Sequence, residues 1–426
     1  MKIKFLLLIF FLFPIFIFSQ NIEKTKERIA VLTSENFYGR GYLNNGMGKA
    51  AKFIAGEFSK NNINKFGNSY FQNYNYPINT FPKKFEIKLD NQLLKPGIDY
   101  ILGGFTPTCK GNFEIFYPDS VLINNYDAFV DKILQSKVFD KFLVINYSLI
   151  ADKDLKNKYI SIAYNNQFKF AGIIELVDNE FLISLSQKQK SFPQIKINNN
   201  IINNNCKNIS IDIKAELNNN FKTKNIIGYI EGEIKDTFFV FSAHYDHVGG
   251  QGKYFFAPGA HDNASGTAFV LDLADYYSKN KPKYSIAFML FSGEEAGLLG
   301  SSFYATNPLF DLKKIKCLIN LDMVGTGDNG FTIVNGELPE YQDVKDLIFE
   351  INSENNYFEE GKIKLRGESC NSDHCPFYNK GVKAFFIYTM GNEKTYYHNP
   401  EDKLKTLNFA GYNQLFNILK KFVNVY

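Results

Sequence analysis

From Asn225 to the C-terminus short apolar runs alternate with amphipathic stretches, and this alternation commits the chain to a sheet covered by helices on both faces. The runs are Phe238 to Phe241, Ile286 to Phe291, Leu318 to Leu321 and Ala384 to Tyr388. Helical patterns fall over Ala264 to Tyr277, Gly297 to Thr306, Gln342 to Asn355 and Phe409 to Val425. His244, Glu294, Glu295 and Asp322 each stand just past the C-terminal end of an expected strand. That is the edge at which open α/β sheets place their ligands.

The first half is organised differently. Asn21 to Thr33 and Met47 to Asn61 carry helical periodicity, with Met47, Ala50, Ala51, Ile54 and Phe58 on one face. Lys84 to Leu89 alternates as a strand with one wet side. From Pro96 to Leu217 short apolar runs, among them Phe142 to Ile145 and Ala171 to Val177, are separated by Asn, Lys, Gly and Pro, the pattern of a smaller, mostly β inserted module. The expected division is therefore 21–95 for the first part of the main domain, 96–217 for the insert and 218–426 for the catalytic part. The asparagine runs at 198–200 and 203–205 are read as solvated loop. Lys2 and Lys4 precede an apolar stretch from Phe5 to Phe18, followed by Ser19 and Gln20. This is the pattern of a secretory signal peptide over 1–20, shorter than the roughly 20 apolar residues that span a bilayer. The mature chain is expected to be exported, periplasmic or secreted, with no stable membrane anchor.

Composition narrows the function classes. With 426 residues, 45% of them hydrophobic, the chain can bury one large or two modest cores, which excludes disorder. The net charge of +4 rests almost wholly on lysine, Arg28, Arg40 and Arg366 being the only arginines. No basic stripe suggests a nucleic-acid partner. Five cysteines leave at least one unpaired within the chain; Cys370 and Cys375 are the most local pair, and Cys317 lies in an apolar run as a core thiol.

The chain has only five histidines, His244, His247, His261, His374 and His398, and each lies in or beside a carboxylate-bearing motif. Imidazole with carboxylate is the ligand set that suits zinc in a hydrolytic site. A two-zinc site needs a bridging carboxylate with terminal His and carboxylate ligands, and His244, Asp262, Glu295, Asp322 and His398 supply that count. Adjacent residues leaving a strand point in different directions, so Glu295 can ligate while Glu294 stays free as general base. Asp246 suits a supporting role, accepting from the far nitrogen of His244 and fixing its tautomer.

Taken together, His244-Tyr245-Asp246, Gly259 to Asn263, Gly293-Glu294-Glu295, Leu321-Asp322-Met323 and Tyr397 to Pro400 resemble, in order, the motifs of the co-catalytic zinc aminopeptidases and glutamate carboxypeptidases. The likeness covers 225–426 with the N-terminal helices around Gly39-Arg40. It implies a three-layer α/β/α sandwich with a mixed sheet, and a 96–217 module resembling a protease-associated insert. It further implies two zinc ions per chain, His244 and Asp322 on one, Glu295 and His398 on the other, Asp262 bridging. Peptides are the implied substrates, attacked by a zinc-bridging hydroxide with Glu294 as base in a secreted metallo-aminopeptidase. His261 stands where relatives carry Asp or Asn and is not expected to ligate. Ser372-Asp373-His374 resembles the family's Ser-Asp-His segment but is flanked by cysteines, His247 is expected to support a ligand or stand at the rim rather than to ligate, and Arg40 is expected to be structural. The alternatives are a carboxypeptidase or dipeptidase with Arg366 as carboxylate anchor, a glutaminyl cyclase, which the absence of tryptophan disfavours, and a non-catalytic binding ectodomain, which would have lost ligands.

Overall fold

The computed structural model describes residues 21–178, 180–392 and 396–426; the expected signal peptide over 1–20 lies outside the described residues. The main sheet has eight strands in the order Phe71–Thr80, Glu216–Ile230, Tyr284–Phe291, Ile234–His244, Ile315–Leu321, Ala384–Thr389, Phe331–Val334 and Ile363–Arg366. Its four middle strands, from Tyr284–Phe291 to Ala384–Thr389, run parallel, so their C-terminal ends share one edge. Antiparallel pairings beside them make the sheet mixed.

Alternate residues of these strands feed two cores, as the two-residue period requires. Phe239, Phe241, Ile286, Phe288 and Ile319 pack under the helices Ile22–Leu32, Gly46–Lys60, Gly266–Tyr277, Gln342–Asn355 and Tyr412–Val425. Val240, Ala287, Met289 and Leu318 turn the other way, toward Tyr304 of the helix Leu299–Thr306 and Phe377. The result is the expected α/β/α sandwich. Arg28 crosslinks three of the helices: its guanidinium donates to Glu57 at 2.8 Å, to Asp275 at 2.9 Å and to Asp272.

The insert is a second eight-stranded sheet, whose strands Cys109–Phe116, Lys141–Asn146, Gly172–Val177 and Gln194–Asn198 are mutually parallel. Parallel neighbours need crossovers, and helices Tyr126–Leu134 and Lys153–Asn165 lie in the first two of the three, adding a helical layer to the expected β module. Its front boundary moves from the expected residue 96. Glu86–Leu89 pairs with Asn208–Ile213, and Ile87 and Leu89 bury against Ile209 and Ile211, so this strand belongs to the insert and not to the 21–95 segment. The chain leaves the main sheet after Thr80 and returns at Glu216. Cys370 and Cys375 form a disulfide, and Cys317 is a buried free thiol. Among the described residues no helix is long and apolar enough to cross a membrane.

Candidate active site

Three parallel strands deliver the acidic and imidazole groups to one place. His244 is the last residue of its strand, Asp322 follows Leu321 directly, and the Glu294-Glu295 pair rides the turn just after Phe291. Asp262 comes from the turn that opens the helix Gly266–Tyr277, and His398 from a loop after the last middle strand. All five expected ligands meet: donor atoms of His244, Asp262 and Asp322 lie within 4.8 Å of one another, as do those of His247, Asp262, Glu295 and His398.

Asp262 belongs to both groups, one oxygen to each. Its Oδ1 is 3.3 Å from His244 Nε2, and its Oδ2 is 3.3 Å from His398 Nε2. On the first side His244 Nε2 also faces Asp322 Oδ1 at 3.2 Å. On the second, His398 Nε2 is 2.7 Å from Glu295 Oε2. That nitrogen is buried among carboxylate oxygens, and imidazole with carboxylate is the donor set that zinc takes.

The surroundings fix these side chains. Arg40, fully buried, donates to the backbone carbonyls of Tyr245, Leu32, Pro258, Gly259 and Asp262, so one guanidinium holds two ligand-bearing turns. Asp402 accepts from the amides of His261 at 2.8 Å and Asp262 at 3.1 Å. Gly259 sits at φ +66° with no room for a Cβ, which would lie 2.4 Å from the Asp262 carbonyl oxygen. Ser372 donates to Asp322 Oδ2 at 2.8 Å, leaving Oδ1 for the cluster. The Asn263 side chain bridges the Asp322 strand and the helix start, donating to Leu321 O and accepting from Gly266 N–H.

One expectation about a supporting residue changes. The far nitrogen of His244 is satisfied by the main-chain carbonyl of Asp246 at 3.1 Å, while the Asp246 carboxylate stands 3.9 Å away. The carboxylate has turned to accept the Glu294 amide instead, at 3.3 Å. His247 takes the supporting role rather than the rim position: it is fully buried, and its Nδ1–H donates to Glu295 Oε1 at 2.7 Å, so it orients that carboxylate. His261 accepts from the Gly325 amide and His374 stacks on Phe386, both away from the ligand groups.

The electrostatics follow from crowding. Burial, reinforced by Glu295, Asp322 and Asp373, pushes Glu294 well above the ordinary carboxylate range against the pull of His244. Burial likewise raises Asp246 and Asp373 to about 7. So many buried acids around two outward-aimed imidazoles favour a cation between them. Asp402, Asn263 and Tyr397, whose ring stacks on His398 at 3.7 Å, were given no role by sequence reasoning. Asn263 and Tyr397 adjoin Asp262 and His398 within the quoted motifs, whereas nothing local marks Asp402, an ordinary acid in a polar turn.

Comparison with known proteins points the same way. Residues 225–423 match the family described as peptidase family M28. The chain is 32% identical over 213 residues to aminopeptidase YwaD of Bacillus subtilis, covering 45% of this chain and 42% of that protein. A probable leucine aminopeptidase of Trichophyton verrucosum is 30% identical over 214 residues, covering 45% and 52%. The chain thus spans about half the length of the curated relatives it matches. Among solved structures, the zinc aminopeptidase BSAP from Bacillus subtilis superposes with a TM-score of 0.70 at 20% identity over 96% of this chain and 94% of that one. An aminopeptidase from Aneurinibacillus gives 0.63 at 19% identity over 95% and 93%.

Proposed function

We propose, from the premise that residues 225–423 belong to peptidase family M28, that this protein is an exported, zinc-dependent aminopeptidase that removes N-terminal residues from peptides. One observation carries the reading: the two oxygens of Asp262 each face a different imidazole, His244 and His398. A pair of cations, one beside each imidazole, would use both oxygens of that carboxylate. His244 and Asp322 would hold one, Glu295 and His398 the other. Zinc bound there would supply Lewis acidity for the scissile carbonyl and lower the pKa of a coordinated water toward roughly 7.

The chain's own groups do the rest. Glu294 borders the cluster, its Oε2 3.9 Å from His244 Nε2, and its donor atom lies within 4.8 Å of those of both His244 and Glu295. Its raised proton affinity suits Oε2 to take the proton of the attacking water and return it to the leaving amine. Asp322 is aimed by Ser372, and Glu295 by His247, so neither needs to reorganise during the reaction. Asp246 and Asp373 are buried beside the ligand set, acidic neighbours that suit a substrate amine better than a substrate carboxylate. Arg366, the carboxylate anchor of the carboxypeptidase reading, lies exposed on the outermost strand, four strands from His244. Export is supported by the 1–20 pattern and by the Cys370–Cys375 disulfide, a bond favoured in oxidising compartments.

Elemental analysis of the purified chain should find two zinc ions. Glu294→Gln should keep both while losing about 10²–10⁴ in turnover. Near-normal turnover in that variant removes Glu294 as the base, and a chain that binds no zinc removes the proposal.

A further inference from the structure

The two ligand imidazoles are oriented in the same manner but by different parts of the molecule. His244 Nδ1–H donates to the carbonyl of Asp246, within its own strand end. His398 Nδ1–H donates at 3.2 Å to the carbonyl of Ile183, which lies in the insert between the strands Gly172–Val177 and Gln194–Asn198. The contact is reciprocal, since the Ile183 amide donates to the His398 carbonyl at 3.1 Å. Asn399, the next residue, donates from its side chain to the Phe181 carbonyl. His398 itself has φ +50°, a left-handed conformation that a residue with a Cβ keeps only where its surroundings hold it.

The insert segment is in turn anchored. Phe181 and Ile183 bury with Ile101 of the insert against Val248 and Ala257 of the catalytic part. Gln251 clasps the Leu102 backbone through both its amide atoms, at 2.9 and 2.7 Å. Ser186 accepts from the Asn79 amide at 2.8 Å, and Gln187 donates to the Ala296 carbonyl at 2.9 Å, one residue beyond Glu295. The segment therefore touches the loops of both residues expected on the second metal, His398 and Glu295. Among the hydrogen bonds of the described residues it reaches neither His244 nor Asp322.

We infer that the inserted module is a working part of the metal centre, and that Ile183 is a positioning residue: its carbonyl keeps the His398 proton on Nδ1, leaving Nε2 free to bind metal. This rests on the two-zinc reading proposed above. A histidine ligand's other nitrogen is normally held by such a partner, which sets both the tautomer and the ring direction. Here the covalently distant insert supplies it for one site only. The two sites should then respond unequally to damage in the insert.

The test is stepwise zinc titration of the metal-free full chain against a chelator of known affinity, for wild type, Ile183→Pro and Ile183→Ala. The proline variant removes the N–H half of the reciprocal pair, and the alanine variant keeps the N–H and shortens the apolar anchor. We expect one of the two zinc affinities to fall by about 10–100-fold in Ile183→Pro and by less in Ile183→Ala, the other staying within about twofold. A histidine ring N–H protected from exchange in the zinc-loaded wild type should exchange faster in the variants. Should the proline variant fail to fold, the alanine variant decides alone. Two unchanged affinities, or two that fall together, overturn the inference. Wild type that binds no zinc overturns the reading of the site, and the inference with it, a result told apart by the wild-type titration alone.

Discussion

At the residue scale the site depends on a few groups whose partners are backbone atoms. Arg40 is the clearest. Removing its guanidinium would take a donor from five buried carbonyls, of which that of Gly259 keeps the Ala264 amide. Arg40→Met should therefore cost about 3–5 kcal/mol of stability, read as a lower urea midpoint. Arg40→Lys should recover only part of that, since an ammonium offers three donors and no fork. His398→Ala should lose one zinc of two and the turnover with it. Full zinc occupancy in that variant would show that the loop histidine is no ligand. Sequence motifs identified the residues that converge, because metal chemistry restricts residue type. Which atom supports which was not legible: the Asp246 carbonyl, rather than its carboxylate, meets His244, and backbone carbonyls leave no mark in a sequence.

At the scale of elements, the Arg28 cluster fastens the helix Ile22–Leu32 to Gly46–Lys60 and Gly266–Tyr277. Burial alone would raise Glu57 and Asp275. Hydrogen bonds and charge from Arg28, with Lys60 at Glu57 and Lys24 at Asp275, outweigh it and hold both carboxyls below their ordinary range. A carboxyl depressed in the folded state contributes stability above its unfolded pKa of about 4 and loses it as pH falls toward the folded value. The metal-free wild type should thus lose more stability between about pH 5 and 3 than Arg28→Met does, by urea unfolding at each pH. Equal losses would contradict the assignment of the cluster. The helices outside the insert and the apolar middle strands were legible from their periods, whereas the insert helices Tyr126–Leu134 and Lys153–Asn165 and the strands Phe71–Thr80 and Glu216–Ile230 were not. These two strands pair with each other at the sheet edge, where the exposed Asn and Lys residues of the second, such as Asn218, Asn219 and Asn220, read as loop. Glu86–Leu89 was legible as a strand, but not its sheet, because pairing with Asn208–Ile213 is a contact between residues more than a hundred apart.

For the whole molecule, the two sheets meet at the candidate site. The main sheet places the His244, Glu295 and Asp322 strand ends together, while the insert seats the loop that brings His398. A chelator should abolish activity and lower the thermal midpoint, and zinc should restore both, because ligand bound only to the folded state adds its binding energy to stability. The central claim is that this centre cleaves peptides at a free amino end. Its most direct test is the rate of zinc-loaded protein on one peptide offered with a free N-terminus, with that N-terminus acetylated, and with the C-terminus amidated. The account predicts cleavage of the free and the amidated peptide, loss of at least about tenfold on acetylation, equivalent to roughly 1.4 kcal/mol of transition-state binding, and no cleavage after chelation. Equal rates on the acetylated peptide, or full activity without metal, would contradict it.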